Sequence, residues 1–408
     1  MTISNAVIGQ SGGPTCAINA TLAGVIDALA KSKKIDKIYG MINGINGILS
    51  DNLKVLNSIF DNRENLKLLK LTPSSYLGSC RFKMPDLNEE TDVYEKVFDV
   101  LKKHNITYFF YIGGNDSMDT VMKLNDYSKK FNKGVTVMGI PKTIDNDLYG
   151  TDHCPGFGSA AKYVATSVAE IARDAYCYLV DSVTIVEIMG RNAGFLTAAA
   201  ALARCEKLCA PDLIYLPEHP FDLINFLNDV KAKIAQRKNV IVAVSEGIKN
   251  KDGVYIAAAS DIFENDKFGH AQLGGAAKTL ENIVKKEIGC KCRSVEINVL
   301  QRAASHFPSK TDLDESFKIG KKAVTYAMGG VSGEMMIFKR ADADNYKIEI
   351  GSMDIKLIAN KEKKMPNDFI NARGNDVTKA FIDYARPLIM GEEKIITKNG
   401  LPVHLVLE

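Results

Sequence analysis

Short apolar runs rich in β-branched residues alternate with amphipathic helical stretches along this chain. Five such runs predict buried strands: NAVIGQ (5–10), ITYFFYIGG (106–114), GVTVMGI (134–140), SVTIVEIMG (182–190) and NVIVAVSEG (239–247). Continuous apolar strands that alternate with helices are typical of parallel sheets covered on both faces. Ligands bind such sheets at the carboxyl ends of the strands. Because the polar loops of this chain follow its strands, we expect an α/β protein with one or two ligand clefts.

The helices and the domain boundaries follow from the same pattern. Helices are predicted at AINATLAGVIDALA (17–30), SMDTVMKLNDYSKKF (117–131) and the alanine-rich GFLTAAAALARCE (194–206). A chain of 408 residues is comfortable as two domains. Since no long linker is present, segments near 149–158 and 301–309 are expected to cross between the domains. From about residue 333 the chain is more polar, and EKKMP suggests a surface elaboration.

Composition excludes several classes of protein. A net charge of +3 with scattered lysines gives no basis for nucleic-acid binding. No apolar run approaches the ~18–20 residues that span a bilayer. The first residues lack the features of a signal peptide, so we expect a cytoplasmic protein with no membrane contact. Its eight cysteines then stay as free thiols, since Cys290-x-Cys292 and Cys205-x3-Cys209 lack a second pair at zinc-finger spacing.

Two glycine-rich turns are candidates for binding an anion. GQSGGPT (9–15) joins a strand to a helix, where backbone N–H groups are available to phosphate. It is neither a Walker loop nor a dinucleotide fingerprint, and a simple tight turn remains an alternative. GGNDS (113–117) adds carboxylate and amide oxygens that suit Mg²⁺. A helix cap formed by Asn115, Asp116 or Ser117 is the alternative for this loop.

PKTIDND (141–147) follows the third strand and carries the strongest chemical signal. Asp145 and Asp147 stand two residues apart, so each is expected to raise the pKa of the other and suit one as a base. Lys142 supplies a positive charge for phosphate. An Asx turn would explain Asp147 but not the whole group.

Arginine and glutamate follow the later strands. Arg191 lies in MGRNAG (189–194), Glu246 lies in SEG (245–247), and Arg293 and Arg302 lie nine residues apart in CRSVEINVLQR. An arginine fork can clamp phosphate and a carboxylate can accept sugar hydroxyls. Each alone is more often a surface or ion-paired residue, but together they predict a site for a phosphorylated polyhydroxy compound.

The ordered blocks resemble the phosphofructokinase family from residue 6 to about 340. They are GQSGGPTCAIN, YLGSCRF, GGNDS, PKTIDND, MGRNAGFLTAA, SEG, FGHAQLGG and VLQR, of which PKTIDND and MGRNAG are the most specific. The tail from YKIEIGSMDIKLIAN to FIDYARPLI is similar to the extension of the pyrophosphate-using branch. The resemblance implies two Rossmann-like three-layer lobes with an active-site cleft between them.

The family reaction implied is phosphoryl transfer to the 1-hydroxyl of fructose 6-phosphate with Mg²⁺ as cofactor. Asp145 matches the base, with Asp147 assisting and with Lys142 and Asp116 as further catalytic groups. Pyrophosphate would be bound by Gly12, Gly13, Arg81, Ser117 and Lys142, and the metal by Asn115 and Asp116. The sugar phosphate would be bound by Thr143, Ile144, Asp145, Met189, Gly190, Arg191, Glu246, Arg293, Val299, Leu300, Gln301 and Arg302.

The resemblance also bears on the phosphoryl donor. ATP-using relatives have glycine where this chain has Asp116 and Lys142. Two unit charges ~4 Å apart at an effective dielectric of about 20 interact by about 4 kcal/mol, or roughly a thousandfold in affinity. We therefore expect a buried Asp116 carboxylate to repel ATP while Lys142 holds pyrophosphate.

Three positions depart from the family pattern. Asn115 replaces the usual metal-binding aspartate, so Asp116 or Asp147 would hold more of the metal's charge. Ser182 stands where many relatives donate an arginine to the neighbouring subunit, and Val299 stands where many have His or Tyr. These departures leave a non-catalytic sugar-phosphate sensor as an alternative, although a sensor would not need Asp145. An ATP-dependent phosphofructokinase is the other alternative.

Domain limits and assembly are also expectations from the resemblance. Residues 1–156 with about 303–360 would form the pyrophosphate and magnesium lobe, and 157–302 the sugar-phosphate lobe. Residues from about 361 to 408 would be an extension packed on the lobes. The position of Arg293 suggests a homodimer or homotetramer with sites completed across subunits.

Overall fold

The structure is a computed structural model that describes residues 3–88, 91–259, 275–342 and 345–407. The block FGHAQLGG (268–275) lies outside the described residues except for Gly275. The strands are β1 Ser4–Gln10, β2 Ile35–Met41, β3 Leu53–Val55, β4 Ile106–Gly113, β5 Thr136–Pro141, β6 Ser182–Ile188, β7 Leu213–Tyr215, β8 Asn239–Ser245, β9 Lys291–Glu296, β10 Glu334–Asp342, β11 Lys347–Asp354, β12 Thr397–Lys398 and β13 Leu401–Pro402.

Helices occupy most of the remaining described chain. The α-helices are α1 Ile18–Ala30, α2 Ile45–Leu49, α3 Asn57–Phe60, α4 Arg63–Leu71, α5 Asp92–Lys103, α6 Asn115–Lys130, α7 Phe157–Ala175, α8 Phe195–Ala198, α9 Leu223–Gln236, α10 Ala276–Glu287, α11 Leu300–Ala303, α12 Lys310–Met328 and α13 Lys379–Ala385. The 3₁₀-helices are Ala199–Ala203, Ile256–Ala259, Ile355–Leu357, Asn367–Phe369 and Arg386–Ile389.

The chain divides into two compact units. The first consists of Met1–Ser159, Arg302–Lys363 and Gly391–Glu408, and the second of Ala160–Gln301 and Lys364–Met390. The chain therefore passes between units at 159–160, 301–302, 363–364 and 390–391. Residues of the expected extension, about 361–408, are divided between both units.

A seven-stranded mixed sheet forms the first unit, in the order β11-β10-β5-β4-β1-β2-β3. The five central strands are parallel, whereas β3 and β11 run antiparallel at the two edges. The expectation of purely parallel sheets is therefore wrong at these edges. Both edge strands follow their partners closely along the chain, and antiparallel pairing needs only a short connection.

Both faces of this sheet are covered by apolar side chains. Val7, Phe109 and Tyr111 belong to one buried cluster, while the alternate residues Ile8 and Phe110 belong to another. Successive side chains of a strand point to opposite faces, so these runs must be apolar throughout. The carboxyl ends of β1, β4 and β5 carry the three loops that sequence analysis selected.

Strand β10 shows that the more polar part of the chain, from about residue 333, begins with a buried strand. Its central residues Met335, Met336, Ile337 and Phe338 are at most 1% exposed. Glu334 pairs with Met138 of β5, so the strand extends the main sheet. Charged residues at both of its ends lower the mean hydropathy of the segment and conceal its buried centre.

Four parallel strands in the order β7-β8-β6-β9 form the sheet of the second unit. Their core contains Val183, Ile185, Val240 and Val242. The alanine-rich helix expected at 194–206 is shorter than predicted: α8 ends at Ala198 and a 3₁₀-helix ends at Ala203. Cys205 and Leu208 then exchange backbone hydrogen bonds, which closes a turn and stops the helix.

Two further sequence expectations concern the whole chain. Among the described residues, no helix is both long enough and apolar enough to cross a membrane. All eight cysteines are free thiols.

Candidate active site

The first glycine-rich loop is held by its neighbours in the first unit. Gly12 has a φ of 77°, which favours glycine, and the Ser79 hydroxyl donates to its carbonyl at 2.7 Å. The Gly12 N–H donates to the Cys80 carbonyl at 3.4 Å. Because Arg81 follows Cys80 directly, the same contacts hold its backbone beside the loop. Its side chain is exposed.

Lys142 is buried beneath this loop. Its residue is 2% exposed, and its Nζ donates to the carbonyl of Gly13 at 2.6 Å. A Cβ at Gly12 would lie 3.1 Å from that Nζ, so the glycine leaves the ammonium room. Burial lowers the pKa of Lys142 to about 8, with Arg302 adding to the fall and Asp145 opposing it. An ammonium held at a turn of backbone amides is suited to binding an anion.

The second glycine-rich loop begins helix α6 at Asn115. Gly114 occupies the N-cap position and makes no side-chain cap bond, so the cap alternative does not account for the polar residues that follow. Ser117 is buried in the first turn, at 3% exposure. Within the described part of the chain, the Asn115 Oδ1 is buried and has no hydrogen-bond partner. A buried acceptor without a donor is costly unless a ligand satisfies it.

Asp116 differs from the sequence expectation. It was expected to be buried, but its side chain is exposed in the structure. Asp116 is the second residue of α6, and a carboxylate in a first helical turn is favoured by the helix dipole. An exposed carboxylate is screened by water, so the estimate of about 4 kcal/mol for repulsion of ATP is too large.

These two residues fit Mg²⁺. The orphaned Asn115 Oδ1 and the Asp116 carboxylate supply hard oxygen ligands. Magnesium usually takes one or two protein ligands and completes its shell with water and substrate phosphate. Among the described residues, no group of three or more His, Cys, Asp and Glu could hold a metal.

The loop that carries Asp145 and Asp147 has a fixed backbone. The Asp145 N–H donates to the Thr143 hydroxyl at 3.1 Å, and Thr143 forms an isolated β-bridge with Gly156. Asn146 lies fully buried between the two aspartates with a left-handed φ of 60°. Its side-chain oxygen accepts from the Cys154 N–H at 2.9 Å. The backbone that carries both aspartates is thus held in place.

Asp147 has a raised pKa, but not chiefly for the expected reason. Burial is the largest cause, and Glu362 is a nearby carboxylate that adds to the rise. A hydrogen bond with the Thr143 side chain and the charge of Lys363 oppose it. Sequence analysis attributed the shift to Asp145 because only that carboxylate is near in sequence.

The second unit brings together another set of candidates. Glu246 accepts from the Gly190 N–H at 3.3 Å, and Ser245 donates to the Gly190 carbonyl at 2.6 Å. Gly190 has a φ of 136°. Across the described residues, the Arg191 Nε is buried without a hydrogen-bond partner. The Gln301 side chain accepts from the Met189 N–H at 3.4 Å, which joins the VLQR block to this loop.

Hydrogen bonds to that group are not described for the four remaining candidates. Arg293 pairs with Thr184 in mid-strand, five positions before Met189, and ~3.3 Å per residue makes this about 16 Å of strand. Its side chain is half exposed and lies 3.5 Å from Asp174. Val299 and Leu300 are 58% and 60% exposed. Arg302 belongs to the first unit, where its Nη1 lies 3.4 Å from the position of a Cβ on Gly13.

Sequence reasoning missed the residues that support the aspartate loop. Leu148 forms an antiparallel bridge with Glu362, and the Lys363 ammonium donates to Asn146. Glu362 and Lys363 lie in EKKMP, more than 200 positions from the loop. A lysine run gives no signal that one of its members is directed inward.

Comparison with known proteins identifies the family of this chain. The family model described as phosphofructokinase matches residues 5–327. A protein of Halomonas elongata named pyrophosphate–fructose 6-phosphate 1-phosphotransferase is 40% identical over 98% of this chain and 96% of its own. One of the same name from Xanthomonas campestris is 41% identical over 100% and 97%. The chain belongs to the phosphofructokinase family.

A solved structure extends the likeness to three dimensions. The pyrophosphate-dependent phosphofructokinase of Nitrosospira multiformis aligns with a TM-score of 0.89 and 36% identity, covering 98% of this chain and 96% of that one. The two-lobe α/β fold expected from the sequence is confirmed.

Proposed function

We propose that this chain transfers a phosphoryl group from pyrophosphate to the 1-hydroxyl of fructose 6-phosphate. The products are fructose 1,6-bisphosphate and phosphate, as in glycolysis. The observation that carries the donor assignment is Lys142, a buried ammonium that donates to Gly13 beneath the glycine loop. The names of the relatives from Halomonas and Xanthomonas support the same reaction. A phosphoanhydride is exchanged for a phosphate ester, so the reaction is expected to run in both directions.

The donor loops supply charge and backbone amides for pyrophosphate. Gly12 and Gly13 let the backbone approach the phosphate, Ser117 adds a hydroxyl, and Arg81 adds a guanidinium from the neighbouring segment. Lys142 offsets the negative charge of the transferred group and of the leaving phosphate. The space that Gly12 leaves above the Lys142 Nζ supports this assignment.

Asp145 acts as the base in this proposal. It accepts the proton of the sugar 1-hydroxyl as the oxygen attacks the phosphorus in line. The hydrogen bond from its own N–H to Thr143 supports a fixed carboxylate direction. Asp147, with its raised pKa, assists from the same loop. Thr143 and Ile144 line the sugar.

Magnesium would be held by Asn115 and Asp116 together with the donor. When bound, Mg²⁺ neutralises phosphate charge and orients the transferred group. The orphaned Asn115 Oδ1 supports this assignment.

The sugar phosphate would be bound by the candidates from Met189 onwards. Met189, Gly190, Arg191 and Glu246 form the loop group, and the unpartnered Arg191 Nε supports an anionic ligand there. The remaining candidates are Arg293, Val299, Leu300, Gln301 and Arg302. Because Arg293 lies in mid-strand with a half-exposed side chain, we propose that it serves the site of another subunit in a homo-oligomer. A cytoplasmic location remains a prediction.

A donor assay tests the reaction. Purified protein is given fructose 6-phosphate, Mg²⁺ and either pyrophosphate or ATP, and fructose 1,6-bisphosphate is measured by a coupled assay. We expect turnover with pyrophosphate and, with fructose 1,6-bisphosphate and phosphate, the reverse reaction. Turnover with ATP alone would replace the donor assignment by the ATP-dependent alternative, which the exposure of Asp116 favours. No turnover with either donor would favour a sugar-phosphate sensor.

A further inference from the structure

Lys363 reaches the loop of Asp145 and Asp147 from the far end of the chain. Its backbone N–H donates to the Asp147 carbonyl at 2.6 Å. Its Nζ donates to the Asn146 side-chain oxygen at 3.3 Å, to the Thr151 carbonyl at 3.3 Å and to the Asp152 carbonyl at 2.9 Å. One side chain thus joins the middle of the loop to its end.

The loop needs such a tie because its centre is an unusual conformation. Asn146 combines a left-handed φ of 60° with complete burial, and left-handed backbone is uncommon outside glycine. The adjacent bridge between Leu148 and Glu362 lays the 362–363 segment along the loop as a short antiparallel pair. Any shift of Asn146 would turn the carboxylates on both sides of it.

Lysine is the residue type that suits this place. An ammonium has three donors on one nitrogen, and Lys363 uses them on three separate acceptors. Burial lowers the pKa of this lysine, while the charges of Asp152 and Asp147 oppose the fall. A methionine of similar length would fill the volume and make none of these bonds.

We propose that Lys363 is a positioning residue for the reaction, which holds Asn146 and through it directs the Asp145 carboxylate towards the attacking hydroxyl. In this proposal it acts through Asn146 and not on a substrate. This inference rests on the proposed function, in which Asp145 is the base. It assigns part of the C-terminal segment to the catalytic apparatus of the first unit.

The test compares Lys363→Met with Lys364→Met, which removes the same charge from an exposed neighbouring lysine. Misplacement of a reacting group by about 1 Å can cost on the order of 100-fold in rate. We expect Lys363→Met to lower kcat by about that factor while the KM for each substrate changes less than about threefold. Lys364→Met should leave both constants unchanged. Thermal unfolding of each variant measures the folded fraction.

A double-mutant cycle then asks whether the effect passes through Asn146. Asn146→Gly removes the acceptor and tolerates the left-handed backbone. The kcat loss of the double variant should be smaller than the product of the two single losses. The proposal is overturned if the kcat loss of the double variant equals the product of the two single losses. It is also overturned if kcat per folded molecule of Lys363→Met equals that of wild type.

Two further measurements cover a variant that does not fold and a wild type with another phosphoryl donor. Should Lys363→Met not fold, Lys363→Gln replaces it, because an amide keeps two N–H donors. The wild-type donor assay separates the two proposals: ATP in place of pyrophosphate would change the donor assignment, and the kcat comparison would be made with ATP. A wild type that transfers no phosphoryl group removes both proposals together.

Discussion

Lys142 and the aspartate loop of the first unit are more constrained by their own chain than Arg191 and Arg293 of the second. Lys142 is buried and bonded to Gly13, and the aspartate loop is bonded at Thr143, Asn146 and Asp147. In the second unit, Arg293 is half exposed and the Arg191 Nε has no partner within the described residues. A rigid loop suits a reaction in which the reacting groups must be aligned. Arginines whose donors are not used by the protein suit the binding of an anionic ligand.

Substitution of Asp145 tests the constrained region with the largest expected effect. Asp145→Asn keeps the shape of the side chain and removes the base, so kcat should fall by about 10²–10⁴-fold. Binding of pyrophosphate, measured by calorimetry, should change little because Lys142 and the glycine loop remain. Asp147→Asn is the control and should lose less, since that residue only assists. A kcat within tenfold of wild type for Asp145→Asn would remove it as the base.

Arg293 provides the matching test in the open region. Loss of a charged hydrogen bond to phosphate costs about 1.5–3 kcal/mol, which corresponds to roughly 10- to 100-fold. We expect Arg293→Ala to raise the KM for fructose 6-phosphate by that factor with little change in kcat. The KM for pyrophosphate should be unchanged.

Mixing the two variant chains, assayed at fructose 6-phosphate well below the KM of Arg293→Ala, tells which subunit Arg293 serves. If it completes a neighbour's site, refolding Arg293→Ala together with Asp145→Asn should create some sites with both residues intact and restore part of the activity. Homo-oligomers of either variant alone provide the baseline. Activity that never exceeds the sum of the two variants would place Arg293 outside any shared site.

The sequence predicted the constrained region only in part. Loops at the ends of β1, β4 and β5 were found because apolar strands and glycine turns are local signals. Lys363 was not found, since its partners are more than 200 positions away and nothing in EKKMP distinguishes it. The exposure of Asp116 was also missed, because the direction of a side chain in a first helical turn depends on the packing of the whole helix. The site roles themselves remain predictions.

A buried charge network beside the aspartate loop gives the first unit a dependence of stability on pH. The ring of His153, which is 3% exposed, lies 2.8 Å from both the Asp152 and the Glu315 carboxylates. Burial alone would lower the pKa of His153, but these two carboxylates outweigh it and the net shift is upward. Because the pKa of His153 is raised in the folded protein, its protonation contributes fully to the free energy of unfolding below the pKa of an unfolded histidine, about 6.5. The stabilisation is lost as pH rises through the folded value.

Thermal unfolding across pH measures this loss. The Tm of wild type should fall as the pH rises above about 6.5, and His153→Gln should show a smaller fall over the same range. His219→Gln, at an exposed histidine, should behave like wild type. A Tm that rises over this range in wild type would contradict a charged His153.

Substitution of Asp116 has the smallest expected effect on ATP binding, because its carboxylate is exposed to water. In its exposure it resembles Arg293 of the second unit. In water, two unit charges ~4 Å apart interact by about 1 kcal/mol, which is roughly fivefold in affinity. Asp116→Gly should therefore improve the binding of ATP, measured without Mg²⁺, only about fivefold rather than a thousandfold. Turnover is not the readout, because the same residue is a proposed ligand of the metal. Asp116→Asn, which keeps the helix and removes the charge, should give a similar gain. A much larger gain in both variants would mean that the bound complex buries this carboxylate. Asp116 would then belong with the constrained residues of the first unit, Lys142 and the aspartate loop.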